Sequence, residues 1–202
     1  MTGFIFATMR EAKPFITKAG ISIDSKISLP YFYKCSIGQK PIILSICGIG
    51  IPSAKKCTIE LINKYSIQHV YNIGICGMVN DSLCVNEIYS VSKALYWKDD
   101  TTQAFPCKPE YIDTMKHVTL ATCFEPVFDS ELRKKIAFHA DMVDMEGAAV
   151  AEICNNNSIT CTLVKGVSDT ANKGDKKTLY ENIDSLSNKM TTLIWNTIFK
   201  NA

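Results

Sequence analysis

Asp141-Met-Val-Asp144-Met-Glu146-Gly-Ala-Ala-Val-Ala151 is followed closely by Ile159-Thr-Cys-Thr-Leu-Val-Lys-Gly-Val-Ser168 and then Asp169. The first stretch reads as a helix from Met145 to Asn157, capped by Asp144. Positions 146, 149, 150, 153 and 154 share one helical stripe, and four of them are Ala149, Val150, Ile153 and Cys154. The second stretch is a mostly apolar run of strand length, read as a buried strand. A helix leading straight into such a strand is the building unit of an α/β layered domain. It also brings two carboxylates, Glu146 and Asp169, to the ends of buried elements, and charges set against a core seldom lack a function.

The rest of the chain repeats the pattern. Gly3 to Thr8 reads as a first buried strand, and Pro14 fits the first turn of the helix that follows it. Tyr31 to Ile37 and Pro41 to Cys47 read as two strands joined at Gly38-Gln39. Gly48-Ile-Gly50 breaks the chain before a helix from Pro52 to about Tyr65, with Ala54, Cys57, Leu61 and Ile62 on its apolar stripe. His69 to Gly74 reads as a buried strand closed by Gly74-Ile-Cys-Gly77, and Asn86 to Val91 as another. Tyr96 to Lys116 has no strong periodicity and reads mostly as loop. Val118 to Phe124 reads as strand and Ser130 to His139 as a short helix. Leu179, Ile183, Leu186, Met190, Leu193 and Ile198 share one face of a last helix, Lys177 to Lys200. Hairpin-like strands among helix-linked ones predict a mixed sheet. Ligands in such folds gather where strands end, at loops 48–50, 75–78 and 168–172.

With 202 residues and 47% hydrophobic residues, one core suffices, so a single domain over 1–202 is expected. The net charge is +2 and no basic block stands out, which speaks against nucleic acid as a partner. No secretory h-region and no apolar run of membrane length occurs, so no membrane partner is expected. Nine cysteines, an odd number with no Cys-x-x-Cys pair, argue against a disulfide framework or zinc site and for a reducing cytoplasm. His69, His117 and His139 show no metal-ligand spacing. No metal and no cofactor are expected.

Three carboxylates can carry chemistry. Glu146 is either a first-turn glutamate favoured by the helix dipole or a carboxylate facing a vicinal diol such as a ribose. Asp169 is either a turn residue or a general acid with a pKa raised by partial burial. Glu11, just after the first strand, is either a surface glutamate opening a helix or a general base for water. Gly48-Ile-Gly50 and Gly74-Ile-Cys-Gly77 let backbone approach a ligand closely, but neither is a Walker A or Rossmann fingerprint. Cys76 reads as a buried thiol rather than a nucleophile.

Val143-Asp-Met-Glu146-Gly-Ala-Ala-Val-Ala and Val167-Ser-Asp169-Thr-Ala-Asn, with Gly3-Phe-Ile-Phe-Ala-Thr-Met-Arg-Glu11, Gly48-Ile-Gly50 and Asn72-Ile-Gly-Ile-Cys-Gly77, resemble the nucleoside phosphorylase/nucleosidase superfamily. The likeness is greatest to its 5′-methylthioadenosine/S-adenosylhomocysteine nucleosidases and covers residues 3–96 and 122–200. It implies a three-layer α/β sandwich around a mixed, partly barrel-like sheet, and a homo-oligomer, a dimer, working in methionine salvage. It further implies that Asp169 protonates the purine at N7, that Glu146 with Met145 binds the ribose, and that Glu11 orients the attacking water. Ser168 would help hold Asp169, Ile49 and Gly77 would line the substrate, and Phe124 would stack on the base. The activity implied is hydrolysis of a purine nucleoside. Ile75 stands where phosphorylases of this superfamily commonly carry Ser, and the chain has only two arginines, Arg10 and Arg133. Both features favour water over phosphate as nucleophile. The 96–122 segment is shorter than in those nucleosidases, and Gly147 and Asn172 differ from their usual residues. A phosphorylase, a nucleosidase for futalosine-type or other adenosyl substrates, and a non-catalytic nucleoside binder remain alternatives.

Overall fold

The computed structural model describes residues 1–22, 28–98, 101–108, 116–172 and 176–200. Among them lie nine strands: β1 (Thr2–Phe6), β2 (Tyr31–Ile37), β3 (Lys40–Ile46), β4 (His69–Met78), β5 (Ile88–Lys98), β6 (Thr101–Pro106), β7 (His117–Thr122), β8 (Met142–Asp144) and β9 (Thr160–Asp169). Five helices flank them: α1 (Met9–Lys18), α2 (Ile51–Lys64), α3 (Ser130–Ala137), α4 (Gly147–Asn156) and α5 (Lys176–Ile198). The strands form one mixed sheet. Within it β4, β8, β7, β5 and β9 pair in a closed circuit, the barrel-like part of the fold. The arm β1-β3-β2 extends from β4, and β6 adds to β5.

Strand alternation divides the core between two helix layers. On β1, Phe4 and Phe6 face α1 and α5, where they meet Phe15, Leu186 and Met190. Ile5 and Ala7 face the opposite way, toward Ala54, Cys57 and Leu61 of α2 and Ala148 to Ala151 of α4. A third cluster packs α3 against the β7–β8 end through Ile136, Val143 and Ala171.

Several boundaries depart from expectation. α1 begins five residues before Pro14, because Thr8 and Glu11 form a capping box that starts the helix at Met9. Gly74-Ile-Cys-Gly77 is not a turn. β4 runs through it to Met78, and both glycines serve by having no side chain. The described part of the region from Tyr96 is mostly strand and not loop: β5 continues to Lys98, and β6 pairs with it antiparallel from Lys93↔Pro106 to Lys98↔Thr101. Phe105 of this hairpin is buried, while the charges at 98–100 and Pro106 obscure its periodicity in the sequence. Residues 99–100 and 109–115 of the expected loop lie outside the described residues. Strand β8 is three residues long, too short to leave a pattern.

One buried ion pair ties these parts together. Lys165 Nζ of β9 lies 2.8 Å from Asp144 Oδ2 of β8, and both side chains are almost fully buried. Asp144 Oδ1 accepts from the Thr122 hydroxyl of β7 at 2.6 Å, and Oδ2 accepts from Gly147 N at 2.8 Å. Thr122 Oγ1 in turn accepts from Ala148 N at 2.8 Å. α4 starts at Gly147 and not at Met145, and its N-cap residue is Glu146, so Asp144 is not the expected cap, although its Oδ2 takes the first helical N–H, that of Gly147. Burial works against the Lys165 charge, but the Asp144 and Glu146 carboxylates outweigh it and hold its pKa above the usual lysine range.

Removing one partner leaves a buried charge uncompensated. Lys165→Met is expected to cost about 3–5 kcal/mol in urea unfolding, and Asp144→Asn combined with it should recover much of that. A Lys165→Met loss below about 1 kcal/mol, the range of an exposed pair, would contradict this role.

Candidate active site

A cavity of about 510 Å³ opens where β1, β4, β8 and β9 end, and Glu11, Glu146 and Asp169 all line it. Met145, Ser168, Ile49 and Gly77 line it too. Phe124 does not: it is 55% exposed on the surface. The wall expected of it is built instead by Pro126, Val127 and Phe128 of the same β7–α3 loop, with Leu179, Tyr180 and Ile183 of α5. Which aromatic of a loop turns inward depends on its path over the sheet, and local sequence does not encode that.

Each carboxylate is held by a different local device. Glu11 sits at the third position of α1, and Thr8 donates to its Oε2 through both N (2.9 Å) and Oγ1 (2.8 Å). Its Oε1 accepts from Ile75 N at 3.0 Å. A Cβ at Gly74 would lie 2.8 Å from that same oxygen, so the capped glutamate reaches β4 only because residue 74 has no side chain. Glu11 opens a helix as expected, but it is buried against the cavity and does not lie on the surface.

Glu146 lies between β8 and α4 and is buried. Gly50 N donates to its Oε1 at 2.7 Å from the start of α2, where the backbone has φ +95° and so favours glycine. Its Oε2 has no hydrogen-bond partner among the described residues and remains available to a diol. Burial, and after it the Asp144 charge, push the Glu146 pKa up to about 7, while Lys165 and the Gly50 N–H pull the other way.

Asp169 ends β9 and is 3% exposed. Its Oδ1 accepts from Ala171 N at 2.8 Å. The Ser168 hydroxyl lies 2.6 Å from Asp169 Oδ2 and 3.1 Å from the Cys76 carbonyl oxygen, with one proton to give. When it turns that proton to Cys76, its oxygen can accept from a protonated Asp169. The serine therefore suits both states of an acid that loses and regains a proton. A Cβ at Gly77 would stand 2.9 Å from Asp169 Oδ1, so this glycine also clears room for a carboxylate.

Cys76 touches the cavity but is 4% exposed, and burial raises its thiol pKa well above the usual range. That is a core thiol and not a nucleophile. Sequence reasoning passed over Lys165 and the full part played by Asp144. The available signal was a lone lysine within the otherwise apolar Leu163-Val-Lys-Gly-Val167.

The raised pKa of Glu146 has a consequence for stability. Unfolded, this carboxyl titrates near ~4.3. Folded, it keeps its proton until about pH 7. The native state therefore binds the extra proton between these values, and stability is lost as pH rises through that window. Glu146→Gln keeps an acceptor for Gly50 N and lacks the charge. It is expected to be more stable than wild type at pH 8, with the difference vanishing toward pH 4 in thermal unfolding. A difference independent of pH would contradict the assignment.

Comparison with known proteins bears on the family and the fold. The family model described as "Phosphorylase superfamily" matches residues 2–198. The 5′-methylthioadenosine/S-adenosylhomocysteine nucleosidase of Buchnera aphidicola subsp. Baizongia pistaciae is 24% identical, over 99% of this chain and 91% of that protein. The enzyme of the same name from Staphylococcus carnosus is 25% identical, over 96% and 97%. Among solved structures, the Helicobacter pylori nucleosidase of that name, with butyl-thio-DADMe-Immucillin-A, superposes with a TM-score of 0.88 at 18% identity, covering 98% of this chain and 97% of that one. The futalosine hydrolase of Helicobacter pylori gives the same TM-score, identity and coverage, so these likenesses carry the fold and leave the substrate open. With its family model matched over nearly the whole length, the chain belongs to the phosphorylase superfamily.

Proposed function

We propose that this protein, a single domain over 1–202, hydrolyses the N-glycosidic bond of a purine nucleoside, 5′-methylthioadenosine or S-adenosylhomocysteine, to release adenine. The observation that carries the reading is the convergence of Glu11, Glu146 and Asp169 on one cavity from three separate parts of the chain. The names of the curated relatives supply the substrate class.

The chemistry follows from charge. As the bond from ribose C1′ to purine N9 breaks, its electron pair goes to the base and positive charge develops on the sugar. Asp169 gives its proton to N7, so the base leaves neutral. Glu146 accepts from the ribose hydroxyls through its open Oε2. Water adds its oxygen to C1′ and passes its proton to Glu11, and solvent then returns the two acids to their starting states. Fixed anions around the sugar and a donor over the base stabilise the separated charges more than the intact nucleoside. The division of labour parallels glycoside hydrolysis by paired carboxyls.

Water is favoured over phosphate because, among the described residues, the nearby cations are already engaged. Arg10, the one described lining residue with a cationic side chain, binds Asp184 through Nε at 2.7 Å and Nη2 at 3.0 Å, and the Tyr180 carbonyl oxygen at 3.0 Å. Arg133 is bound to Asp81 and to the Thr170 carbonyl oxygen. Lys165 is committed to Asp144. Ile75 offers only its backbone N–H, which Glu11 takes. A homodimer acting in methionine salvage in the cytoplasm is the setting this substrate class supports. Nine free thiols, most of them buried, fit a reducing compartment.

The test is release of free base from a panel of methylthioadenosine, adenosylhomocysteine, adenosine and futalosine, with and without phosphate. Equal release of adenine in both conditions is expected, and strict phosphate dependence would overturn hydrolysis. Asp169→Asn should lower turnover by about 10²–10⁴-fold with the fold intact by circular dichroism. Retention of most activity would remove Asp169 as the acid.

A further inference from the structure

We propose that Arg133, which lies outside the cavity, is a positioning residue that sets the geometry of Asp169 by holding a single peptide group. The inference rests on the reading of Asp169 as the acid. Arg133 projects from α3, and its side chain is only 12% exposed. Its Nε donates to the Thr170 carbonyl oxygen at 2.8 Å, and its Nη2 is bound to Asp81 in the turn after β4. The Thr170 carbonyl and the Ala171 N–H belong to the same planar peptide unit. Arg133 therefore grips the oxygen end of that unit, while its N–H end donates to Asp169 Oδ1 at 2.8 Å.

The neighbouring conformation explains why a grip is needed. Ala171 is fully buried and has φ +54°, a left-handed conformation that non-glycine residues avoid. Rotation of the 170–171 peptide would relieve this strain and would turn the N–H away from Asp169. The guanidinium opposes the rotation, because the rotated peptide would take its oxygen off a charged donor in a nearly buried place. A cation on the carbonyl also polarises the unit and strengthens its N–H as a donor. Asp81, 81% exposed, anchors the far side of the guanidinium. Strain of this kind persists only where surrounding contacts enforce it, and it concentrates at working sites.

The test compares Arg133→Met, Arg133→Lys and wild type on methylthioadenosine, alone and combined with Asp169→Asn. Arg133→Met is expected to lower kcat about 10- to 100-fold, the scale of a small misplacement of a catalytic group. KM should stay within about twofold. Arg133→Lys, which can still donate to Thr170, should recover part of the loss. In the Asp169→Asn background, Arg133→Met should cost nothing more, since both changes disable the same group. An unchanged kcat in Arg133→Met, with Asp169→Asn inactive, would overturn this inference and spare the acid. A further full loss in the double variant, or kcat and KM worsening together with no rescue by lysine, would reduce Arg133 to a structural part and also overturn it. Should Arg133→Met not fold, Asp81→Asn carries the comparison. A severalfold fall in kcat at constant KM is then expected, and wild-type kcat counts against the inference.

Discussion

The ion pair between Asp144 and Lys165 sets the terms for everything around it. Two charges without solvent are costly, and a pair of this kind is seldom a net source of stability. What it supplies is arrangement. Asp144 can be satisfied only if Thr122, Gly147 N and Lys165 arrive together, from β7, the start of α4 and β9. The contact spans the strands on either side of β4, and at Gly74 no side chain intrudes on it. A register slip of one residue in β9 would turn Lys165 to the other face and strand both charges. The barrel-like circuit is therefore specified by polar chemistry at the point where the site is built.

From that anchor the carboxylates follow. Glu146 lies two residues beyond Asp144, at the step from strand to helix, so fixing one fixes the other. Asp169 lies four residues beyond Lys165 on the same strand. Glu11 comes from α1 and meets the others only because Gly74 leaves room for its Oε1. All three take backbone N–H donors, from Gly50, Ala171 and Ile75. The Gly50 and Ile75 donors are fixed by the elements they belong to, and the Ala171 donor shares its peptide with the Thr170 carbonyl oxygen that Arg133 holds, so the three carboxyl groups are oriented by the scaffold itself.

Much of this was legible in the chain. The short apolar run from Gly3 to Thr8 gives β1, and the stripe through Ala149, Val150 and Cys154 gives α4. Local signals named the three carboxylates as well, since each sits where a periodic element starts or stops. Other features depended on distant parts of the chain. Gly74 and Gly77 look like a turn, because nothing local shows that carboxylates from α1 and β9 need the space. Phe124 and Phe128 are equivalent in sequence, yet one is exposed and the other lines the cavity. β8 has three residues and owes its existence to pairing with β4 and β7. Lys165 was conspicuous among apolar neighbours, but its partner lay 21 positions upstream, at a residue already explained as a helix cap.

The allocation of cations shows how one scaffold can suit different nucleophiles. An attacking phosphate dianion needs several donors at once, ideally a guanidinium fork with hydroxyls. Among the described residues, these cations near the cavity are each paired with an acid: Arg10 with Asp184 between α1 and α5, Arg133 with Asp81 between α3 and the turn after β4, and Lys165 with Asp144 between β9 and β8. In each case the positive charge joins elements of the scaffold. The inner surface keeps Glu11 and Glu146 with no free cation beside them among the described residues, and such a surface repels an anion while it attracts a cationic sugar. Water carries no charge to be repelled. The same economy that spends cations on holding loops and strands in place thus selects a neutral nucleophile.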